Sequence, residues 1–266
     1  MAAVDTNRWL DEKCARAYWD QHWAVPYQEL MQDTARWLDP QPGERWLDLG
    51  CGSGRLTALL WQLSHGQLAQ IIAQDCNPVN RQALGKLQRR LAPAPTPEQI
   101  PFVVADFSAG LPQYETAAFD GVVSGLALCY AESKDPITGN YTDHAYNRLL
   151  TELYRVLRPG GRLVFSVNVP RPRWWGLFWK SLGMAFRVPK PGRVLLNALT
   201  MQRHGSWLQR EARRGRFHFF HAAEVVRRLE RMGFERIKAR LSFGGQAYLF
   251  GACKPAGRLI PWSSGA

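Results

Sequence analysis

LDLGCGSGRL, residues 47–56, is the stretch that decides the architecture. RWLDL (45–49) reads as a buried strand and LTALLWQLS (56–64) as a helix, so Gly50, Gly52 and Gly54 occupy the turn between them. Glycine suits a turn that needs left-handed backbone, and it lets a ligand approach the main chain closely. The helix that follows opens with free N–H groups and a partial positive end, which favour a carboxylate or phosphate. The spacing separates cofactors. A dinucleotide fingerprint runs G-x-G-x-x-G, and its third glycine would fall at position 55, which is arginine. What stands is G-x-G-x-G with an acid, Asp48, two residues before the first glycine.

Outward from this loop, short apolar runs alternate with helical ones. QIIAQD (70–75), PFVVAD (101–106), FDGVVSGLAL (119–128) and RLVFSVNV (162–169) read as strands two to five. PVNRQALGKLQRRLA (78–92) and HAYNRLLTELYRVL (144–157) read as helices, the second stopped by Pro159 and the paired glycines after it. Residues 92–99 form a proline-rich loop and 131–143 a polar one. Residues 222–233 are amphipathic, with Val225, Val226, Leu229 and Met232 on one face. FERIKARLSF and QAYLFGACK then close the sheet around Gly244 and Gly245. This order implies βαβ units and a parallel sheet.

The partners of the glycine loop stand at informative places. Asp75 ends the second strand, where a carboxylate can accept from both hydroxyls of a ribose. Asp106 ends the third strand in ADF (105–107). With FDGVVSGLALCY (119–130), LYRVLRPGGRLVFSV (153–167) and FHFFHAAEVVRRLERMGF (217–234), the chain resembles the class I S-adenosylmethionine (SAM)-dependent methyltransferases. Within them it is similar to the methyltransferase type 11 and ubiquinone/menaquinone methyltransferase subgroup, over about residues 43–168 and 217–254.

The resemblance implies a Rossmann-like α/β fold: seven mostly parallel strands, helices on both faces, an antiparallel last strand and a helical insertion after the fifth. It implies one domain over 1–254, with an N-terminal helical cap (1–42), a basic aromatic lid (170–217) and a tail (255–266). It implies SAM as cofactor, bound by Asp48, Gly50, Cys51, Gly52, Gly54, Asp75, Cys76, Asp106, Phe107 and Ser124. Asp106 is similar to the family's acid that receives the adenine amino group. The reaction it implies is attack by a substrate nucleophile on the sulfonium methyl, for which alignment alone is worth several powers of ten.

Candidate general bases are His22 in the N-terminal cap, His144 beside the polar loop, and Tyr130; Tyr18 and Tyr27 are also placed to line a pocket. The fourth strand ends in Ser124-Gly125-Leu126-Ala127, not N/D-P-P-Y, which counts against adenine-N6 and glutamine-N5 methylation. The five cysteines form neither a C-x-x-C pair nor a zinc-like spacing, so a reducing compartment is expected and no metal site. MAAVDTNRWLDEK carries no signal-peptide pattern, and no apolar run reaches the roughly 18 residues of a membrane span. The expected location is the cytoplasm, with peripheral contact to a membrane.

The net charge of +12 is local. Residues 171–240 hold 17 Lys and Arg against 4 Asp and Glu, while the rest of the chain is nearly neutral. Within that segment RWWGLFWKSLGMAF (173–186) is apolar almost all round and is bordered by Arg171, Arg187, Lys190 and Arg193. Tryptophan beside cations suits a bilayer interface, so residues 171–193 are expected to touch a membrane and receive a lipophilic or aromatic small molecule. Arg210, Arg213, Arg214 and Arg216 with nearby aromatics also fit an RNA methyltransferase. No RNA-binding module accompanies them, which makes nucleic acid the less favoured partner. A non-catalytic SAM-binding regulatory subunit is the third reading, and the intact acids and glycines weigh against it.

Overall fold

A computed structural model describes residues 8–19, 24–172 and 205–257. Five strands run in parallel: β1 (Arg45–Leu49), β2 (Gln70–Asp75), β3 (Phe102–Val104), β4 (Phe119–Gly125) and β7 (Leu157–Asn168). With β8 (Glu235–Ser242) and β9 (Ala247–Cys253) they form one seven-stranded sheet, ordered β3-β2-β1-β4-β7-β9-β8. Only β9 runs against its neighbours, pairing antiparallel with β7 and β8. The order reverses between β1 and β4, and ligands of open α/β sheets bind outside the carboxyl ends of the strands at such a point.

Strand periodicity builds two cores. In β1, Leu47 and Leu49 face one side with Val122, Leu163, Phe165 and Phe250. Trp46 faces the other, with Ile71, Ala73, Val123 and Leu249. The first side is covered by α5 (His144–Val156) and α6 (Ala222–Arg231), which bury Leu149, Leu150, Leu153, Val225 and Leu229. The second receives α3 (Arg55–Leu63) and α4 (Asn80–Gln88), through Leu56, Leu60, Trp61 and Leu84. Asp48 therefore lies on the α3 side, the only acid in a buried strand position of β1.

Before residue 42 the chain forms α1 (Glu12–Trp19) and α2 (Val25–Leu38), preceded by a 3-10 turn at Arg8–Leu10. They brace the sheet at both ends. Trp19 Nε1 donates to Asn80 Oδ1 at 2.8 Å, pinning α1 to the start of α4. At the far edge Ser242 Oγ donates to the buried Asp33 at 2.7 Å, and the Gly244 N–H donates to Glu29 at 2.8 Å.

Two readings change in detail. The polar loop 131–143 contains a two-residue hairpin, β5 (Ser133–Lys134) with β6 (Tyr141–Thr142), turned around Asp135, whose Oδ1 accepts from the Ile137 and Thr138 N–H groups. Strands this short carry no readable alternation. The RPGG segment does end α5, but the chain enters β7 at once. The extra residues 158–161 bulge between the Phe119–Leu157 and Gly121–Arg162 pairings. The apolar block 173–186 lies outside the described residues, as does the expected membrane contact over most of 171–193.

Candidate active site

The glycine loop divides its work. All three glycines have positive φ, 72° at Gly50, 51° at Gly52 and 82° at Gly54. A Cβ on Gly50 would lie 2.4 Å from that of Ala127, and one on Gly54 would lie 2.4 Å from Leu84 Cδ1. These two let the loop pack against the segment after β4 and against α4. Among the described residues, a Cβ on Gly52 would meet no atom within 4 Å, so its main chain is open there to the approach of a ligand.

The acids hold this loop. Asp48 is fully buried and accepts from the Thr57 hydroxyl at 2.6 Å and from the Thr57 N–H, which ties β1 to the first turn of α3. Its Oδ1 is buried with no hydrogen-bond partner among the described residues. Burial pushes its carboxyl up to about 7, against the lowering effect of Thr57, and the nearby Asp75 charge pushes the same way. Asp75 Oδ2 accepts from the Gly52 N–H and its Oδ1 from the Asn77 N–H, each at 2.9 Å. Burial raises its pKa while those hydrogen bonds hold it down. A buried carboxylate oxygen lacking a donor, a second acid beside the loop and an uncovered glycine main chain fit a cofactor that brings an ammonium and ribose hydroxyls.

Of the other expected cofactor residues, Phe107 is buried beside the loop, its Cε1 3.5 Å from where a Gly50 Cβ would stand. Asp106 is exposed just beyond β3, and one of its oxygens accepts from the Ser108 N–H at 2.8 Å. Cys51 has its thiol driven well above the ordinary range, first by burial and then by Asp75 and Asp48; Cys76 is pushed up to about 12, mainly by burial. Both stay neutral thiols, packing residues instead of nucleophiles. The Ser124 hydroxyl donates to the Leu49 carbonyl at 2.7 Å. It supports the loop from beneath by joining β4 to the end of β1.

The candidate bases fare differently. His22 lies outside the described residues. His144 is exposed at the start of α5. Tyr130 stands on the short turn Leu128–Tyr130 after β4. Its hydroxyl accepts from Asn168 Nδ2 at 2.8 Å and also bonds the Cys129 thiol, and burial drives its pKa well above 10. A hydroxyl held in this way presents a ring to the site, not a ready base. Tyr27, on α2, has its pKa pushed up to about 12 by burial and then by the Asp48 charge, with Arg55 opposing.

Reasoning from sequence missed Asn77 and Asn80. Asn77 accepts from the Val79 N–H at 3.0 Å, donates to the Trp9 carbonyl at 2.9 Å, and follows Asp75 by two residues. Asn80 receives Trp19 and also bonds the Asp75 side chain. The signal was there: asparagine just past a strand and before a proline favours such a side-chain turn.

Beyond β4 an aromatic wall gathers. The extended segment 217–220 alternates: Phe217 and Phe219 meet Tyr130 at 5.0 and 6.1 Å between centroids, while His218 and Phe220 meet Tyr146 on α5 at 5.5 and 5.4 Å. Arg216, only 5% exposed, pairs with Glu132 and Glu211. So this arginine is spent internally, as is Arg228 over the Phe220 ring, which pairs with Asp143 and Glu224. Trp207, Phe217 and Phe219 are buried too.

Comparison with known proteins agrees with this geometry. Residues 47–165 match the family described as a methyltransferase domain. A demethylmenaquinone methyltransferase of Thermus thermophilus is 34% identical over 145 residues, covering 54% of each chain; the chain thus spans about half the length of that relative. Another, of Oceanobacillus iheyensis, is 27% identical over 216 residues, covering 81% of this chain and 80% of that one. Among solved structures, phosphoethanolamine N-methyltransferase 2 of Haemonchus contortus, in complex with SAM, superposes with a TM-score of 0.60 at 15% identity. That match covers 96% of this chain and 61% of the other. A SAM-dependent methyltransferase of Aquifex aeolicus gives 0.53 at 14%, over 91% and 97%. With strand order, loop and acids in place, the chain resembles the class I SAM-dependent methyltransferases over residues 47–165 and shares their fold.

Proposed function

We propose that this protein is an enzyme that moves the SAM methyl group to a small, uncharged, lipophilic or aromatic molecule by in-line displacement. The observation that carries the reading is the open main chain of Gly52 held between Asp48 and Asp75, with an aromatic wall a few residues beyond β4. The bound cofactor supplies an electrophilic methyl on sulfonium sulfur, so the protein's part is binding and alignment. Asp75 and Asp106 bind its nucleoside end and Asp48 its amino end. Phe107 packs beside the loop, and the cap keeps water from it. The acceptor lies against Tyr130 and Phe217. The names of the quinone-methylating relatives point to the same class of acceptor.

The test follows labelled methyl from SAM into a fractionated cell extract, with Asp75→Ala as control. Label in the organic phase, lost in the variant, is expected. Label in a nuclease-sensitive polymer would replace the small acceptor with RNA. SAM binding without transfer to any fraction would reduce the chain to a regulatory subunit.

A further inference from the structure

Outside residues 171–240 the charges balance only in sum. From residue 76 to residue 97 the chain holds Arg81, Lys86, Arg89 and Arg90 and no acid. These four lie on α4 or in the turn that ends it, and all are exposed. None forms an ion pair among the described residues; Arg81 has instead the Phe102 ring, 5.5 Å from its guanidinium carbon. Other arginines find acids: Arg155 pairs with Glu152, Arg162 with Glu44 and Arg228 with Asp143. The outer face of α4 thus presents unmatched positive charge.

The centre of that face is a glycine. With about 3.6 residues per turn, Ala83, Leu84 and Leu87 fall on the inner side, where Leu84 and Leu87 pack against Gly54. Gly85 falls on the outer side, one turn after Arg81 and one turn before Arg89, whose N–H donates to the Gly85 carbonyl at 3.4 Å. A Cβ on Gly85 would meet no atom within 4 Å among the described residues, and its backbone is not left-handed. Neither packing nor conformation there asks for glycine, which weakens a helix interior. What glycine supplies is a floor low enough for another main chain to come close.

We propose that the outer face of α4 is the docking surface for an acidic helix of a partner protein, seated on Gly85 with its carboxylates toward Arg81, Lys86 and Arg89. A small side chain of the partner rests over Gly85, and acids one turn to either side reach the cations. A second copy of this chain is a poor occupant, because a symmetric pair would set α4 against α4 and oppose like charges. Single-stranded nucleic acid calls for exposed rings, and Phe102 beside Arg81 is half-buried. Phosphates are also reached by long cations without a glycine between them. The inner side of the same helix touches Gly54 and, through Asn80, Asp75, so the partner sits one helix away from the glycine loop.

The experiment follows the anisotropy of a labelled helical peptide with glutamate at every fourth position and alanine and glutamine between. The wild-type protein is expected to bind it, and Arg81→Glu with Arg89→Glu to weaken binding about tenfold or more. Arg81→Gln with Arg89→Gln gives the same direction should reversed charges disturb the fold. Gly85→Gln keeps every charge and favours the helix. It is expected to raise the melting temperature while weakening the peptide about tenfold. No binding by the wild type, or equal binding by the Arg81 and Arg89 variants, overturns the docking surface. Unchanged binding in Gly85→Gln overturns the seated helix. Tighter binding of a labelled oligouridylate or of phosphatidylserine vesicles, lost in the same variants, overturns the protein partner in favour of RNA or a lipid surface.

Discussion

Asp75 reaches back across the strand ends to accept the Gly52 N–H at 2.9 Å. The acid proposed to hold the ribose thus also sets the shape of the glycine loop. Replacing it removes two backbone partners at once, since the Asn77 N–H bonds its other oxygen. Asp75→Ala is expected to weaken S-adenosylhomocysteine binding by about a hundredfold, about 2.7 kcal/mol, and to lower the melting temperature as well. Asp106→Ala has only an exposed turn to lose. Calorimetric titration is expected to show weaker binding with a melting temperature close to wild type. A large drop in stability for Asp106→Ala would contradict its surface placement.

The three glycines are expected to separate by mechanism. Gly52→Ala places a methyl in open space and costs stability only through its positive φ, about 1–2 kcal/mol. It nevertheless obstructs the approach of the cofactor, so binding is lost while the fold survives. Gly50→Ala drives a Cβ into Ala127 and is expected to destabilise the fold more than Gly52→Ala does. Urea unfolding of the two variants, with and without S-adenosylhomocysteine, distinguishes them. Equal destabilisation would show that the loop shifts easily.

Much of this site was legible before the fold was known, because its parts lie on strand ends and in one continuous loop. Asp48, Gly50, Gly52, Gly54 and Asp75 were singled out by the strand-turn-helix pattern together with the family resemblance it carries, since that pattern leaves each little freedom. Asn77 and Asn80 were not read, because their partners Trp9 and Trp19 are 68 and 61 residues away. Nor were the ring contacts of Trp9 with Tyr130, Trp207 and Phe217, for the same reason: they lie far along the chain. Arg216 illustrates the opposite error. As part of a basic run it suggested phosphate contact, yet Arg216 is buried and its partner Glu132, half-buried, lies 84 residues back. Charge counted along a chain does not record which charges are already matched.

Breaking that pair is expected to be costly. Arg216→Ala leaves Glu132 and Glu211 without their common cation, and the loss of a buried partner costs about 3 kcal/mol or more. The guanidinium also lies over Tyr141 and Phe217, at 5.6 Å from each ring centroid, so packing is lost along with charge. Replacing Arg216 by Met together with Glu132 by Leu is expected to recover part of the stability, because no charge is then stranded at Glu132. Denaturant midpoints of the single and double variants provide the check. Similar losses in both would mean that shape, not charge, dominates.

Two buried groups give stability opposite pH dependences. The Asp48 carboxyl, pushed up to about 7 from an ordinary 3.8, favours the protonated form in the folded protein. Its contribution is fully present below the unfolded value and is lost as pH rises towards and through 7. His218 is 5% exposed, with its Nε2 buried and without a hydrogen-bond partner among the described residues; burial lowers its pKa below 6.5. It folds in the neutral form, so its contribution is present above 6.5 and is lost as pH falls through its folded value. Melting curves of the cofactor-free protein between pH 5 and 8 therefore contain two opposed slopes. Asp48→Asn is expected to remove the decline towards pH 8, and His218→Gln the decline towards pH 5. If Asp48→Asn leaves the alkaline limb unchanged, the carboxyl is already ionised in the folded protein, and its unpaired oxygen must be stabilised by a donor other than Thr57.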